Sequence, residues 1–384
     1  MRSLHTALGL LFGLAAAQAE AQRIDTLAVD SRAFGTMRTV YVHLPATYRY
    51  SSPAVKMPLV VLLDGQHEWF SEPVLNQLRF LQYTHEIPSL ITVVVPHADR
   101  VRESAMRDVQ GPDLPLLTFL ADELPAALER YRAGAHRIVI GHSFTASFAL
   151  YALARRPDAF QAAVAHTPLH MLEQLMPLVA QRLHEDSTRH AMVSVGGQER
   201  VKDKYHHDAL QRMLGQPEYI PLPHGLDVVV ATSARHNAVP IRTTAELLSR
   251  HFLEFSMRDT LAPVDENYRM TSTPPSPDEL LRAVDGMLKF RGAVLPWEIA
   301  EINGLSSRLQ SSGYSEHAAA VLRRGTALYP EFWQFHQALA RLVASSDATA
   351  AAEHLRRAIV LLDAHERDQP FYGAVRSSLT QLPH

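Results

Sequence analysis

The sequence predicts an α/β fold, a mostly parallel eight-stranded sheet with helices on both faces, followed by a small all-α region of helical repeats. Three observations carry that expectation. From residue 24 to about residue 255, short β-rich runs alternate with longer helical patterns. Most of the runs are continuously apolar, as parallel strands covered on both faces require. After residue 278 strand signals vanish, and Ala and Leu recur at helical spacing. At 384 residues, with 47% of them apolar, the chain has room for two or three domains and a full-sized core.

Residues 1–21 read as an address. Arg2 precedes an apolar run from Ala7 to Ala17 that is too short to span a bilayer. Ala17-Gln18-Ala19 and Ala19-Glu20-Ala21 then offer small-x-small cleavage sites, so a signal peptide is expected to end there. The mature chain would begin at Glu20 or Gln22, in the periplasm or the medium of a bacterium. No later segment is apolar for long enough to cross a membrane.

Residues 22–256 should hold the sheet. Ile24 to Val29 and Met37 to Leu44 alternate polar and apolar around a turn at Phe34-Gly35-Thr36, which suits an antiparallel pair at one edge. The other six strands are expected at Leu59 to Leu63, Leu90 to Val95, Arg137 to Ile140, Ala162 to Ala165, Ala191 to Val195 and Asp227 to Ala231. Among the crossovers, Leu114 to Arg132 is the clearest helix, because Leu117, Leu120, Leu124, Ala127 and Leu128 share one face. Eight strands opening with an antiparallel pair is the α/β-hydrolase layout.

Residues 257–277 read as a linker, since Thr271-Ser272-Thr273-Pro274-Pro275-Ser276-Pro277 cannot propagate helix or strand. Residues 278–384 should form the helical domain, opening with a helix over Glu279 to Phe290. Val321-Leu322-Arg323-Arg324 and His354-Leu355-Arg356-Arg357 are self-similar at an offset of 33 residues, close to the tetratricopeptide period. Ala318, Ala319 and Ala320 permit close helix approach, and Pro330 ends that helix.

The charge balance excludes some functions. With 37 basic against 40 acidic residues, the chain carries no electrostatic footprint for nucleic acid or anionic lipid. It has no cysteine, so a nucleophile must be Ser, Thr, Lys, Asp or Glu.

The most informative stretch is Ile138-Val139-Ile140-Gly141-His142-Ser143-Phe144-Thr145-Ala146-Ser147, a buried strand running into a helical pattern with Ser143 at the junction. A nucleophile elbow needs that context: a sharp turn lifts the hydroxyl above the sheet and aims a helix N-terminus at the developing oxyanion. The stretch resembles the esterase family of α/β-hydrolases that holds siderophore esterases, S-formylglutathione hydrolases and feruloyl esterases. Tyr41-Val42-His43-Leu44-Pro45, Leu62-Leu63-Asp64-Gly65, Arg100 with Glu103, and Arg155-Arg156-Pro157-Asp158-Ala159-Phe160 are similar to further words of that family. The resemblance covers roughly residues 24 to 255, and some members carry a C-terminal repeat region. It departs at Thr145 and Ala146, where members usually have glycine. A β-branched Thr145 is expected to crowd the turn.

A serine nucleophile needs a base, and this fold places it after the last strand, in the order Ser, acid, His. His236, in Thr232-Ser233-Ala234-Arg235-His236, fits, with His224 the near rival. Glu199, just after the preceding strand, is the expected acid, and Asp203 and Asp208 are alternatives. Within the resembled family a Ser–His pair can also suffice. The oxyanion hole should use the backbone N–H of Phe144 and one from Asp64-Gly65-Gln66-His67, with Gln66 favoured over His67.

His67, His97, His206, His207 and Asp208 offer ligand types without zinc spacing, so no metal is expected, and no nucleotide-binding motif implies a cofactor. The sequence thus reads as a secreted or periplasmic serine esterase that hydrolyses a carboxylic ester through an acyl-serine, with siderophore or hydroxycinnamoyl-type esters compatible. The S-formylglutathione branch is disfavoured by the signal peptide. The other reading is a silent hydrolase-fold scaffold whose C-terminal helices bind a protein partner.

Overall fold

The computed structural model describes residues 23–199, 204–253 and 257–381. The expected signal peptide and Asp203 lie outside them. Eight strands form one sheet: β1 (Ile24–Ser31), β2 (Thr36–His43), β3 (Met57–Leu62), β4 (Ile91–Val94), β5 (Ala133–His142), β6 (Ala162–His166), β7 (His190–Gly196) and β8 (Leu226–Ala231). Their spatial order is β1-β2-β4-β3-β5-β6-β7-β8. β1 pairs antiparallel with β2, and β2 antiparallel with β4. From β4 to β8 every pairing is parallel. This is the α/β-hydrolase arrangement, and it brings the C-terminal ends of β3, β5, β7 and β8 to one rim.

All eight strands expected from the sequence are present. β5 is six residues longer than the apolar run Arg137 to Ile140 suggests, because Ala133 pairs with Met57 at one end, and Gly141 and His142 pair with β6 at the other. Burial follows position: β3, β4, β6 and β7 are buried throughout, whereas edge strand β1 alternates.

Helices cover both faces. Glu68–Tyr83 follows β3 and buries Phe70, Val74, Leu78 and Leu81, which recur at helical steps. Phe144–Arg155 follows β5 and is buried from Thr145 to Ala154, as a helix enclosed on several sides must be. Leu172–Glu185, Lys204–Leu214 and Val239–His251 complete the layers. The expected helix over Leu114 to Arg132 is made of Pro115–Thr118 and Leu124–Ala127 joined by a π turn, Phe119–Glu123, and a final 3-10 turn, Glu129–Tyr131. Pro125, within that span, cannot donate to a regular helical ladder.

A helical C-terminal region follows the sheet: Pro277–Met287, Ile299–Ser311, Ser315–Leu328, Trp333–Val343, Ala348–His365 and Tyr372–Thr380. The two self-similar words lie in Ser315–Leu328 and Ala348–His365. Two details correct the sequence reading. A short helix, Met257–Leu261, occupies part of the expected linker. The helix expected to reach Phe290 stops at Met287, and a small hairpin, β9 (Lys289–Phe290) with β10 (Ala293–Val294), takes its place where Gly292 supplies a left-handed turn residue.

These helices pack directly on the sheet region. One apolar core runs from Val29 to Leu339, and a smaller one gathers Trp333, Leu355, Leu362 and Leu379. Polar contacts reinforce the joint. Ser89 donates its N–H and hydroxyl to Glu298, and the Tyr50 hydroxyl donates to Glu366 at 2.6 Å. The Ser52 N–H donates to the Leu328 carbonyl at 2.7 Å. Among the described residues no helix is long and apolar enough to cross a membrane.

Candidate active site

β5 ends at His142, and the helix Phe144–Arg155 begins two residues later, so the chain must reverse within Ser143. Ser143 does so with φ 64° and ψ −115°, a conformation that costs a non-glycine residue about 1–3 kcal/mol. Strain of this kind persists only where the surroundings over-determine the backbone. Gly141 provides the room, because a Cβ there would lie 2.2 Å from the Thr145 carbonyl oxygen. The Ser143 N–H donates to His166 O at 2.9 Å. Ser143 itself is 6% exposed at the rim.

His236 stands in the loop after β8, opening the 3-10 turn His236–Ala238. Its Nδ1 lies 3.2 Å from Glu199 Oε2, and the other Glu199 oxygen accepts the Gly196 N–H at 2.9 Å. Glu199 is fully buried, so these bonds replace its lost hydration. The two loops touch because they carry no bulk: the Gly197 N–H donates to Ala231 O, the Gln198 N–H donates to Ala234 O, and a Cβ on Gly197 would lie 2.5 Å from the Thr232 carbonyl. On its other side the His236 ring faces His142, with centroids 4.5 Å apart, and His142 Nε2 lies 3.1 Å from the His236 carbonyl oxygen. Burial, with His236 alongside, pushes the His142 pKa down to about 2, so that imidazole is neutral and donates to the carbonyl.

The rival assignments sit elsewhere. His224 precedes β8 and so lies at the opposite end of that strand. Asp208, on Lys204–Leu214, meets the neighbouring His207 at 3.4 Å. In the loop after β3 the His67 N–H donates to Asp64 O at 2.8 Å. That bond occupies the His67 N–H.

Three residues that sequence reasoning gave no catalytic role converge on the elbow. Asp64, buried and left-handed at φ 60°, receives Arg100 in a bidentate pair at 2.7 and 3.0 Å. Thr145 Oγ1 donates to the same carboxylate at 2.5 Å and accepts the His142 N–H at 2.9 Å. The expected crowding at Thr145 is thus accompanied by bonding of its hydroxyl. Behind Asp64, Glu103 binds Arg38 in a bidentate pair and His97 at 3.0 Å. Burial opposes ionisation of Glu103, yet His97, Arg38 and the Asp99 N–H overcome it and hold its pKa at about 2.

Aromatic rings border the serine. Trp69, 46% exposed, stands edge-on to His142 at 5.2 Å and stacks on His67 at 5.8 Å, and Phe144 meets His170 at 5.6 Å.

Comparison with known proteins bears on the family and the fold. Residues 31–217 match the family model described as "Putative esterase". Among solved structures, an IroE-like serine hydrolase from Shewanella oneidensis superposes with a TM-score of 0.60 at 18% identity, over 78% of this chain and 98% of that one. An uncharacterised protein from Capnocytophaga ochracea gives 0.58 at 15% identity, over 93% of this chain and 99% of that one. At such identities the likeness speaks for the fold alone. Comparison with curated proteins gave no match. Residues 31–217 thus match the esterase family model on an α/β-hydrolase fold, which supports a carboxylic ester hydrolase.

Proposed function

We propose that the protein hydrolyses carboxylic esters by acyl transfer to Ser143. The observation that carries this reading is the strained Ser143 backbone at the rim, with His236 and buried Glu199 hydrogen-bonded beside it. His236 takes the serine proton during attack and returns it to the leaving alcohol. Glu199 fixes the imidazole tautomer through Nδ1 and stabilises the imidazolium. The N–H groups of Phe144 and Gln66 hold the oxyanion. Water activated by His236 then releases the acid from acyl-Ser143. No step calls for a cofactor.

The rings of Trp69, His67, Phe144 and His170 favour a planar aromatic acyl group, such as a hydroxycinnamoyl or catechol-type ester, including those of siderophores. Residues 1–21 would export the enzyme, so its substrate is met in the periplasm or outside the cell. Steady-state kinetics on p-nitrophenyl acetate, methyl ferulate and a dihydroxybenzoyl-serine ester test the reading. An aromatic ester should show a kcat/KM at least about tenfold above acetate, one apolar contact's worth. Equal values for all three would remove the aromatic preference, and no turnover of any would remove the esterase reading.

A further inference from the structure

We propose that Thr145 is a positioning residue, whose hydroxyl ties the Ser143 elbow to the loop carrying Gln66 through buried Asp64. The inference rests on the esterase reading and adds to it how the two oxyanion donors keep their spacing.

His142, the residue before Ser143, is gripped at both of its backbone groups. Its N–H donates to Thr145 Oγ1 at 2.9 Å, and its carbonyl accepts Arg100 Nη2 at 2.5 Å. Both grips end on one carboxylate, since Asp64 receives Thr145 at 2.5 Å and Arg100 at 2.7 and 3.0 Å. The Thr145 hydroxyl has one proton. It goes to the Asp64 carboxyl oxygen at 2.5 Å, the shorter contact, which leaves the oxygen lone pairs for the His142 N–H. Asp64 belongs to the other half of the site. Its carbonyl accepts the His67 N–H at 2.8 Å, and its Oδ1 is 3.4 Å from Gln66 Nε2. The Gln66 amide oxygen in turn accepts the His97 N–H at 2.8 Å.

Phe144 and Gln66 lie on loops 78 residues apart in sequence, and Thr145–Asp64 is a side-chain bond between them. A glycine at 145 would leave the Asp64 oxygen and the His142 N–H without this buried partner, and neither group is solvated there. The tether therefore serves the transition state, where the oxyanion first needs both N–H groups, more than ground-state binding.

Three variants test it: Thr145→Val, isosteric without the hydroxyl; Thr145→Ser, which keeps it; and Thr145→Gly. Two readouts are needed, kcat and KM on p-nitrophenyl acetate and amide hydrogen exchange over residues 141–150. Thr145→Val and Thr145→Gly should lose on the order of 100-fold in kcat with KM nearly unchanged, as an ångström of misplacement costs. Their elbow amides should exchange faster. Thr145→Ser should restore both readouts to near wild type. Wild-type kcat and exchange in Thr145→Val would overturn the tether, as would equal damage in Val and Ser, which would assign the role to the methyl. If the wild type hydrolyses no ester, the esterase reading fails, and the exchange contrast between Val and Ser still decides the tether. Should Thr145→Val not fold, Arg100→Gln at a partly exposed site releases the same carboxylate. Faster elbow exchange is expected there, and unaltered exchange would contradict the network.

Discussion

The proposed base, His236, and the proposed acid, Glu199, sit in different surroundings. His236 is partly exposed at the rim, whereas Glu199 is sealed and spends one oxygen on Gly196 N–H and the other on the imidazole. His236→Ala removes the proton acceptor and should lower kcat by roughly 10³-fold or more with little change in KM. Glu199→Gln keeps the shape but presents an uncharged oxygen or an amide N–H to Nδ1, so a smaller loss is expected. Stopped-flow kinetics on p-nitrophenyl acetate check both. An unaffected Glu199→Gln would show that the Ser–His pair suffices. The positions of Ser143, Glu199 and His236 were legible in the sequence because each stands in the segment that follows a strand, after β5, β7 and β8. The partnership of Thr145 with Asp64 was not, since 81 residues separate them and the left-handed turn at Asp64 leaves no compositional mark.

At the scale of elements, alternation located β1 and β2 and apolar runs located the six strands from β3 to β8, because a buried parallel strand has few alternatives to being continuously apolar. The same rule hid the ends of β5. His136 and His142 both lie within β5, and His142 pairs with His166, but their polar rings interrupt the pattern that marks a strand. Hydrogen bonds compensate: His136 Nε2 lies 2.9 Å from His251 Nε2, and His142 reaches the His236 loop. Beyond the sheet the periodicity located helices well and their stops poorly. The helix Pro277–Met287 opens on a capping box, Ser276 with Glu279, inside the stretch read as linker. It closes into a short hairpin held in place by Phe290, packed on Phe252 and His251. Such contacts lie between distant segments, so local spacing carries no signal for them.

The whole molecule should be most stable near neutral pH, for reasons spread through its core. Burial lowers the pKa of His136 to about 3, of His166 to about 3 and of His43 to about 4, and His190 and His251 shift the same way. Unfolded, each of these takes up a proton near its ordinary value of 6.5. Below that pH the unfolded chain binds more protons than the folded one, so stability falls as the pH drops from 6.5 towards the folded values. Glu298 acts in the opposite sense. Burial at the joint with Ser89 raises its pKa to about 8, so its contribution is complete below the ordinary carboxyl range and is lost as the pH rises to 8. Several histidines against one carboxyl give a steep acid limb and a shallow alkaline one. Melting temperatures across pH 4.5 to 9 should peak at about pH 6.5 to 7. Glu298→Gln should flatten the alkaline side and steepen the acid one. A melting temperature constant from pH 7 down to 5 would contradict the burial of these neutral histidines. The catalytic claim is tested most directly by intact mass after reaction with a fluorophosphonate ester. One adduct per chain is expected, mapping to Ser143 and absent from Ser143→Ala. A folded protein that takes up no label, or takes it up equally in Ser143→Ala, would contradict the assignment of Ser143 as the nucleophile.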